Sequence, residues 1–381
     1  MTRSPGRIVG LAALCLAVTL GATTPAMAGA HRDQDRFTVV ADHLNNPRGL
    51  SPAPGGGLYL AEAGSGGKTC VNGGEQGQTC IGLTGSVDLV TRYGVKRIVT
   101  GLISGSGPGG IGAEGPVSVS RGPDGGVYGL FGLNSHVVPP AGAIPAYLRA
   151  AALAQLGHLV LVQPDGSVRD VSDVGDQDWT WTNNHRDLAP NDYPDANPNA
   201  VLYSGGHRYV ADAGANLLVK VNRGGAAKVL AFFPVPPGSP NDSVETCVAR
   251  GPDGALYVGE LLGGTHAPGH ARIWRVIPGH APKVWATGLT TVQGCGFGND
   301  GAFYATEFQT GGLDATNPAG DVVRIDRYGH RTHFGVGKLF NPSGFAAGSD
   351  GAIYVSNCSV APAGGMGPKL CPTGGQVVRI G

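Results

Sequence analysis

Three stretches read Gly251-Pro-Asp-Gly-Ala-Leu-Tyr-Val-Gly-Glu260, Gly298-Asn-Asp-Gly-Ala-Phe-Tyr-Ala-Thr-Glu307 and Gly348-Ser-Asp-Gly-Ala-Ile-Tyr-Val-Ser-Asn357. Each is a turn followed by a short strand centred on tyrosine, and Asp-Gly supplies the positive backbone angle that a tight hairpin needs. Working outward, the same unit recurs at Tyr59, Tyr128 and Tyr209, so it occurs six times in all. A strand opening near Pro precedes each turn, and two more strands follow, as in Ala271 to Val276 and Lys283 to Thr287. The last three intervals between tyrosines are 47 to 50 residues. Four antiparallel strands at that period describe a propeller blade. The fold class is therefore all-β, a six-bladed β-propeller.

The sixth unit ends at Gln376 to Ile380 with only three strands, whereas Phe37 to Ala41 matches the outermost strand of other blades. The N-terminal strand is expected to complete the last blade, which removes the open sheet edges. Tyrosine spacing widens to 69 and 81 residues where insertions follow Glu62 and Phe131. The second insertion holds the only clear helix expected, with Pro145 at its start, Leu148, Ala152 and Leu156 four apart, and Gly157 at its end. Trp179 to Asn199 reads as a long Asn/Asp-rich loop that Trp179 and Trp181 fasten to the body. Gly105 to Gly110 precedes an inner strand instead of opening a helix, so it reads as flexible loop and not as a phosphate cradle.

Gly (66) and Pro (28) make up about a quarter of 381 residues, a composition bordering on low complexity. Hydrophobic residues at 41% and charged ones at 14% nevertheless favour a packed core over disorder. With 27 basic and 27 acidic residues there is no excess charge to draw a phosphate backbone, so nucleic acid is not an expected partner. Arg3 and Arg7, the apolar run from Ile8 to Ala22 and Ala26-Met27-Ala28 read as a signal peptide over residues 1–28. Residues 29–381 then form a single secreted, extracytoplasmic domain, expected to be a monomer. No later stretch approaches the roughly 20 apolar residues of a membrane span.

Six cysteines lie beyond that leader, an even number that reads as disulfides in an exported chain. Cys70 with Cys80 and Cys358 with Cys371 each bound a loop on the same face. Cys247 and Cys295 are read at equivalent inner-strand positions of adjacent blades. That brings them close, but points both side chains in one rotational sense and leaves their bonding open.

Phe37-Thr-Val-Val-Ala-Asp-His-Leu-Asn-Asn-Pro-Arg-Gly-Leu50, Tyr59-Leu-Ala-Glu-Ala-Gly64, Tyr257-Val-Gly-Glu-Leu-Leu262 and Tyr354-Val-Ser-Asn-Cys358 resemble the ScyD/ScyE family of secreted propellers. The resemblance covers nearly all of the mature chain and implies an NHL-like propeller, an exported location and an accessory role in extracytoplasmic secondary metabolism. The family is named from proteins associated with assembly of the pigment scytonemin, and most members have no assigned activity. Asn183-Asn184-His185-Arg186-Asp187 stands where the family usually has an Asn-Asn-Pro-Asp-like stretch, and departs from it.

In an antiparallel meander the start of the inner strand and the end of the second strand share one end of the blade. Three positions after each tyrosine come Glu62, Phe131, Asp212, Glu260, Glu307 and Asn357; one position after each Pro or its equivalent come Arg48, Val117, Asn199, Glu245, Gln293 and Ser343. Arg48, Glu62, Asp212, Glu260, Gln293, Glu307 and Asn357 are thus candidate binding residues at the channel mouth. The same carboxylates suit hydrogen bonding to exposed backbone N–H groups of the following loops. Glu114-Gly115-Pro116 resembles the metal-binding Glu-Gly-Pro of gluconolactonase and regucalcin-type propellers. Asn199 and Glu245 fall where that family places its other ligands, so the resemblance implies calcium or magnesium on Glu114, Asn199 and Glu245.

Other signals are negative. His266 and His270 are separated by Ala-Pro-Gly, which forbids the helix of a His-Glu-x-x-His zinc site. His330 and His333 read as solvent-facing, and no Gly-x-Ser-x-Gly occurs. Two functions follow: a scaffold that binds a small molecule or a protein at the channel mouth, or a divalent-metal-dependent hydrolase in which an ion polarises a carbonyl.

Overall fold

Alternating apolar and small residues on either side of each Asp-Gly turn build six sheets, each covered on both faces by its neighbours. The computed structural model describes residues 36–381 apart from 75–76, 191, 236–241, 264–267 and 314. The leader expected over residues 1–28 and His266 lie outside those residues.

Blades 2 to 5 are four-stranded meanders. They comprise Pro116–Arg121, Val127–Phe131, His158–Val162 and Val168–Asp173; Pro198–Ser204, His207–Asp212, Leu217–Val221 and Ala227–Phe232; Glu245–Arg250, Leu256–Glu260, Ala271–Val276 and Lys283–Leu289; and Val292–Phe297, Phe303–Glu307, Ala319–Ile325 and Arg331–Phe340. Blade 6, formed by Phe345–Ala347, Ile353–Asn357 and Gly375–Ile380, is completed by Phe37–Leu44, paired antiparallel from Phe37↔Ile380 to Leu44↔Gly375. Leu44, 1% exposed, packs with Leu50, Leu58 and Leu60 of blade 1, so the closing strand also joins the two ends of the ring.

Blade 1 has five strands where four were expected. Its insertion forms Thr69–Asn72 and continues into the third and fourth strands, Gln78–Thr91 and Gly94–Ser106, which extend past the blade. Gly105–Gly110 is not the flexible loop expected. Asn46 Nδ2 donates to Gly110 O at 2.8 Å and Asn46 Oδ1 accepts from Ala113 N, which pins the segment over blade 1.

The helix expected near Pro145 forms as α1, Ala146–Gln155, with Leu148 and Ala152 buried. A second helix, α2, spans Val174–Asn183 and takes in the start of the stretch from Trp179 that sequence reads as loop. Its signal is weak because its buried stripe includes Asp178 and Thr182 and its sequence is rich in Trp and Thr, poor helix formers. Asp173 caps it by accepting Asp176 N–H at 2.9 Å. Trp181 stacks on His185 and packs on Phe232, and Trp179 stacks on His136, so both indoles fasten this segment.

The Tyr-centred repeat has a physical cause at the end of the ring opposite the mouth. Gly254, Gly301 and Gly351 take φ of 79°, 73° and 83°. The preceding aspartates cap the turn and hold tyrosine and arginine together. Asp253 Oδ2 accepts from the Tyr257 hydroxyl at 3.2 Å and Arg275 Nε at 2.8 Å. Asp300 repeats this with Tyr304 and Arg324, and Asp350 with Tyr354 and Arg379. Burial opposes ionisation of the three carboxyls, but these donors hold them below the usual range.

Candidate functional site at the channel mouth

The six inner strands enclose an axial cavity of about 1090 Å³, at the upper end of ligand-sized pockets. Arg48, Glu114, Asn197, Asn199 and Gln293 supply polar groups at its mouth. Leu261, Phe308, Leu313, Met366 and Leu370, carried on loops of blades 4, 5 and 6, form an apolar rim. Sequence patterning singles out Arg48, Glu114, Asn199 and Gln293 but misses Asn197 and the whole apolar rim, because the rim loops carry no periodicity.

Arg48 Nη2 donates to Ala113 O at 2.7 Å and lies 3.6 Å from Glu114 Oε1. Its Nε is buried with no partner among the described residues, so the protein does not use all of its donor capacity. Gln293 Nε2 donates to Asn199 Oδ1 at 3.2 Å, spanning from blade 5 to blade 3 across the mouth of blade 4. Asn197 Oδ1 accepts from Leu133 N at 2.7 Å and fixes the blade 2 loop beside Glu114.

The ring of residues three positions after each tyrosine does not line this cavity. Each is buried in its own blade. Asn46, Thr291 and Asn341 adopt left-handed φ of 51°, 43° and 46° just ahead of inner strands. The N–H preceding each is accepted by Glu62, Glu307 and Asn357 respectively, at 2.6 to 2.8 Å. Asp212 accepts three backbone N–H groups, from Asn197, Gly214 and Ala215. Glu260 takes Arg272, Trp274 Nε1 and Ser243 Oγ. In every blade but the second, where the position is Phe131, these side chains fasten the entering loop, which satisfies buried donors left by the kink.

Burial and contact with other acids shift several of them. Arg97 Nη1 bonds both Glu62 and Asp88, one cation for two buried carboxylates, and burial followed by the bond and charge of Glu62 pushes Asp88 up to about 9. Burial raises Asp212 to about 6, and raises Asp178 of α2, which lies against it, well above the carboxylate range. Glu307 is pushed up to about 8 by burial and then by the charge of Asp321.

Glu245 requires a correction of register. Pro47 pairs with Glu62 and Pro198 with Asp212; in blade 4 the residue paired with Glu260 is Glu245. Glu245 therefore takes the proline position, and Thr246 is the counterpart of Arg48, Asn199 and Gln293. Because a strand alternates faces, the one-residue difference turns Glu245 into the wall, where it is 0% exposed and bonded to Ser243 Oγ, and gives the channel to Thr246. Burial and the nearby Glu260 push Glu245 far up. The donor set read for calcium or magnesium does not fit: Glu114 and Asn199 face the cavity, Glu245 does not, and Arg48 already neutralises Glu114.

Cys70–Cys80 and Cys358–Cys371 are bonded as read, and Cys247–Cys295 is bonded as well. The last pair is not at equivalent positions. Cys247 pairs with Gly259, one residue before Glu260, and Cys295 with Ala305, two before Glu307. That offset points the two sulfurs at one another. Cys358–Cys371 ties the loop that brings Met366 and Leu370 to the rim.

No family model matches the chain, and no curated protein matches it. Solved propellers do. A gluconolactonase from Xanthomonas campestris is 8% identical, with 91% of this chain and 90% of that one covered at a TM-score of 0.51. Calcium-binding regucalcin from Agrobacterium tumefaciens is 12% identical, covering 91% and 94% at 0.51. The PQQ-bound aldose sugar dehydrogenase from Streptomyces coelicolor is 13% identical, covering 92% and 99% at 0.50. At such identities the likeness shows the six-bladed scaffold alone.

Proposed function

We propose that the chain is an exported binding propeller that takes a small amphiphilic molecule at its channel mouth, with no reaction of its own. The observation that carries this reading is the composition of the 1090 Å³ cavity: an apolar rim over a polar collar of Arg48, Glu114, Asn199 and Gln293. A ligand would seat an apolar body against Phe308, Leu313, Met366 and Leu370, and a hydrogen-bond acceptor or anionic group against the Arg48 guanidinium. The three disulfides suit an oxidising compartment, and among the described residues no helix is long and apolar enough to cross a membrane. A metal-dependent hydrolase is disfavoured by the register of Glu245.

Anilinonaphthalene sulfonate, an aromatic body bearing one anion, is a suitable probe. Saturable binding of one probe per chain, weakened about tenfold in Arg48→Met and strengthened in Glu114→Gln, is expected, because removing Glu114 removes the repulsion of an anion. Binding that neither substitution changes, together with unchanged binding in Met366→Glu, would end the proposal.

A further inference from the structure

At the mouth end of blade 5, one side chain from each of three consecutive strands meets outside the channel. Glu307 ends Phe303–Glu307, Asp321 lies in Ala319–Ile325 and His333 in Arg331–Phe340. One ligand atom from each lies within 4.8 Å of the others. His333 Nδ1 is 2.7 Å from Asp321 Oδ2, and its side chain keeps the solvent-facing side read from sequence. The Asp321 side chain is only 6% exposed, and its Oδ1 is buried beside Glu307 with no N–H or hydroxyl donor among the described residues.

Acids also meet in blades 1, 3 and 4, but the third-strand position opposite the end of the second strand is where blade 5 differs. Glu307 is paired in register with Asp321, acid against acid. At the same place in blade 4, Glu260 meets Arg272 at 2.8 Å, and in blade 6, Asn357 Nδ2 donates to Gln376 Oε1 at 2.9 Å. Glu62 in blade 1 lies opposite Ser86 and is bonded by Arg97. In blade 5, Arg331, whose charge Glu307 feels, commits its guanidinium to Gly288 O and Thr287 O. Two buried carboxyls so placed need a shared proton or an added cation.

We propose that Glu307, Asp321 and His333 bind a divalent transition-metal ion of the zinc or manganese type, which clips the three outer strands of blade 5 together. An imidazole beside two carboxylates suits these ions, whereas calcium takes oxygen donors alone. His333 is half-exposed, so the ion enters from the surface and water completes its shell. The site is separate from the channel, and none of its three residues lines the cavity.

The test uses tag-free protein dialysed against chelator and then against Zn²⁺, Mn²⁺ or Ca²⁺ at about 100 μM, with bound ion and melting temperature measured. One Zn²⁺ or Mn²⁺ per chain is expected, raising the melting temperature by about 4 °C at a hundredfold excess over Kd. Asp321→Asn puts an amide opposite Glu307, as Gln376 lies opposite Asn357 in blade 6, and His333→Ala lies at a half-exposed position, so both variants should fold. Each should lose at least tenfold in affinity. Absence of a stoichiometric ion, undiminished binding in both variants, or a calcium response that His333→Ala leaves intact would overturn the proposal and leave a proton shared between Glu307 and Asp321.

Discussion

Replacing Leu44 by alanine should loosen the closure of the ring more than any other single change in the N-terminal strand. Leu44 is 1% exposed and sits among Leu50, Leu58, Leu60, Val90 and Val377, which belong to blades 1 and 6. Truncating a fully buried leucine costs about 3 kcal/mol, from lost transfer energy plus the cavity left behind. For a domain of roughly 350 residues the unfolding entropy at the midpoint is about 0.7 kcal/mol/K, so the melting temperature should fall by about 4 °C. Thr38→Ala, on the exposed part of the same strand, should move it by less than about 1 °C. Deleting Phe37 to Ala41 should go further, leaving Gly375–Ile380 as an unpaired edge and making blade 6 the first site of limited proteolysis. Calorimetry and timed proteolysis read both effects. A Leu44→Ala protein that melts with the native one, or a truncated protein equally resistant to protease, would refute the claim that this strand holds the ring shut.

Stability should also depend on pH through Asp88. Its folded pKa of about 9 lies above the roughly 3.9 of an unfolded aspartate, so its contribution is complete below pH about 4 and is lost as pH rises toward 9, at up to about 1.4 kcal/mol per unit. Melting temperature should therefore decline between pH 5 and 8, and Asp88→Asn, which imitates the protonated acid, should flatten that decline; an unchanged slope would place the proton elsewhere. Asp300→Ala should cost about 2 kcal/mol in denaturant unfolding, because it removes the cap on Ala302 N–H and orphans Tyr304 and Arg324 together. Asp124→Ala, in a turn whose tyrosine faces Leu161 instead of an arginine, should cost less; equal costs would mean that the arginine contributes nothing. Removing Cys358 and Cys371 together should weaken anilinonaphthalene sulfonate binding, since that crosslink holds Met366 and Leu370 at the rim, and unchanged affinity would exclude the rim from the site.

The ring could be read from sequence because its signals are local. Asp-Gly turns need no tertiary context, and the Asp253-Tyr257-Arg275 cluster recurs in the later blades because each contains its own copy. What could not be read depended on register between strands. Glu245 reads as channel-facing because blade 4 has no proline to mark the position, and one residue of slip separates Glu245 from Thr246. The same kind of offset decided that Cys247 and Cys295 could bond. α2 was hidden because its inward face carries Asp178, which meets Asp212 from a different blade. His333 was hidden because the strand pairing that brings it to Asp321 includes an irregularity between Gly320 and Val322. The rim lies on loops whose apolar residues gain meaning only when the ring closes around them.

The most direct test of the binding reading is a crystal structure of the native protein with anilinonaphthalene sulfonate. The account predicts the rings of the probe against Phe308, Met366 and Leu370 and its sulfonate within hydrogen-bond distance of the Arg48 guanidinium. Probe density confined to the outer surface of the blades, with the axial cavity holding solvent alone at saturating concentration, would contradict it.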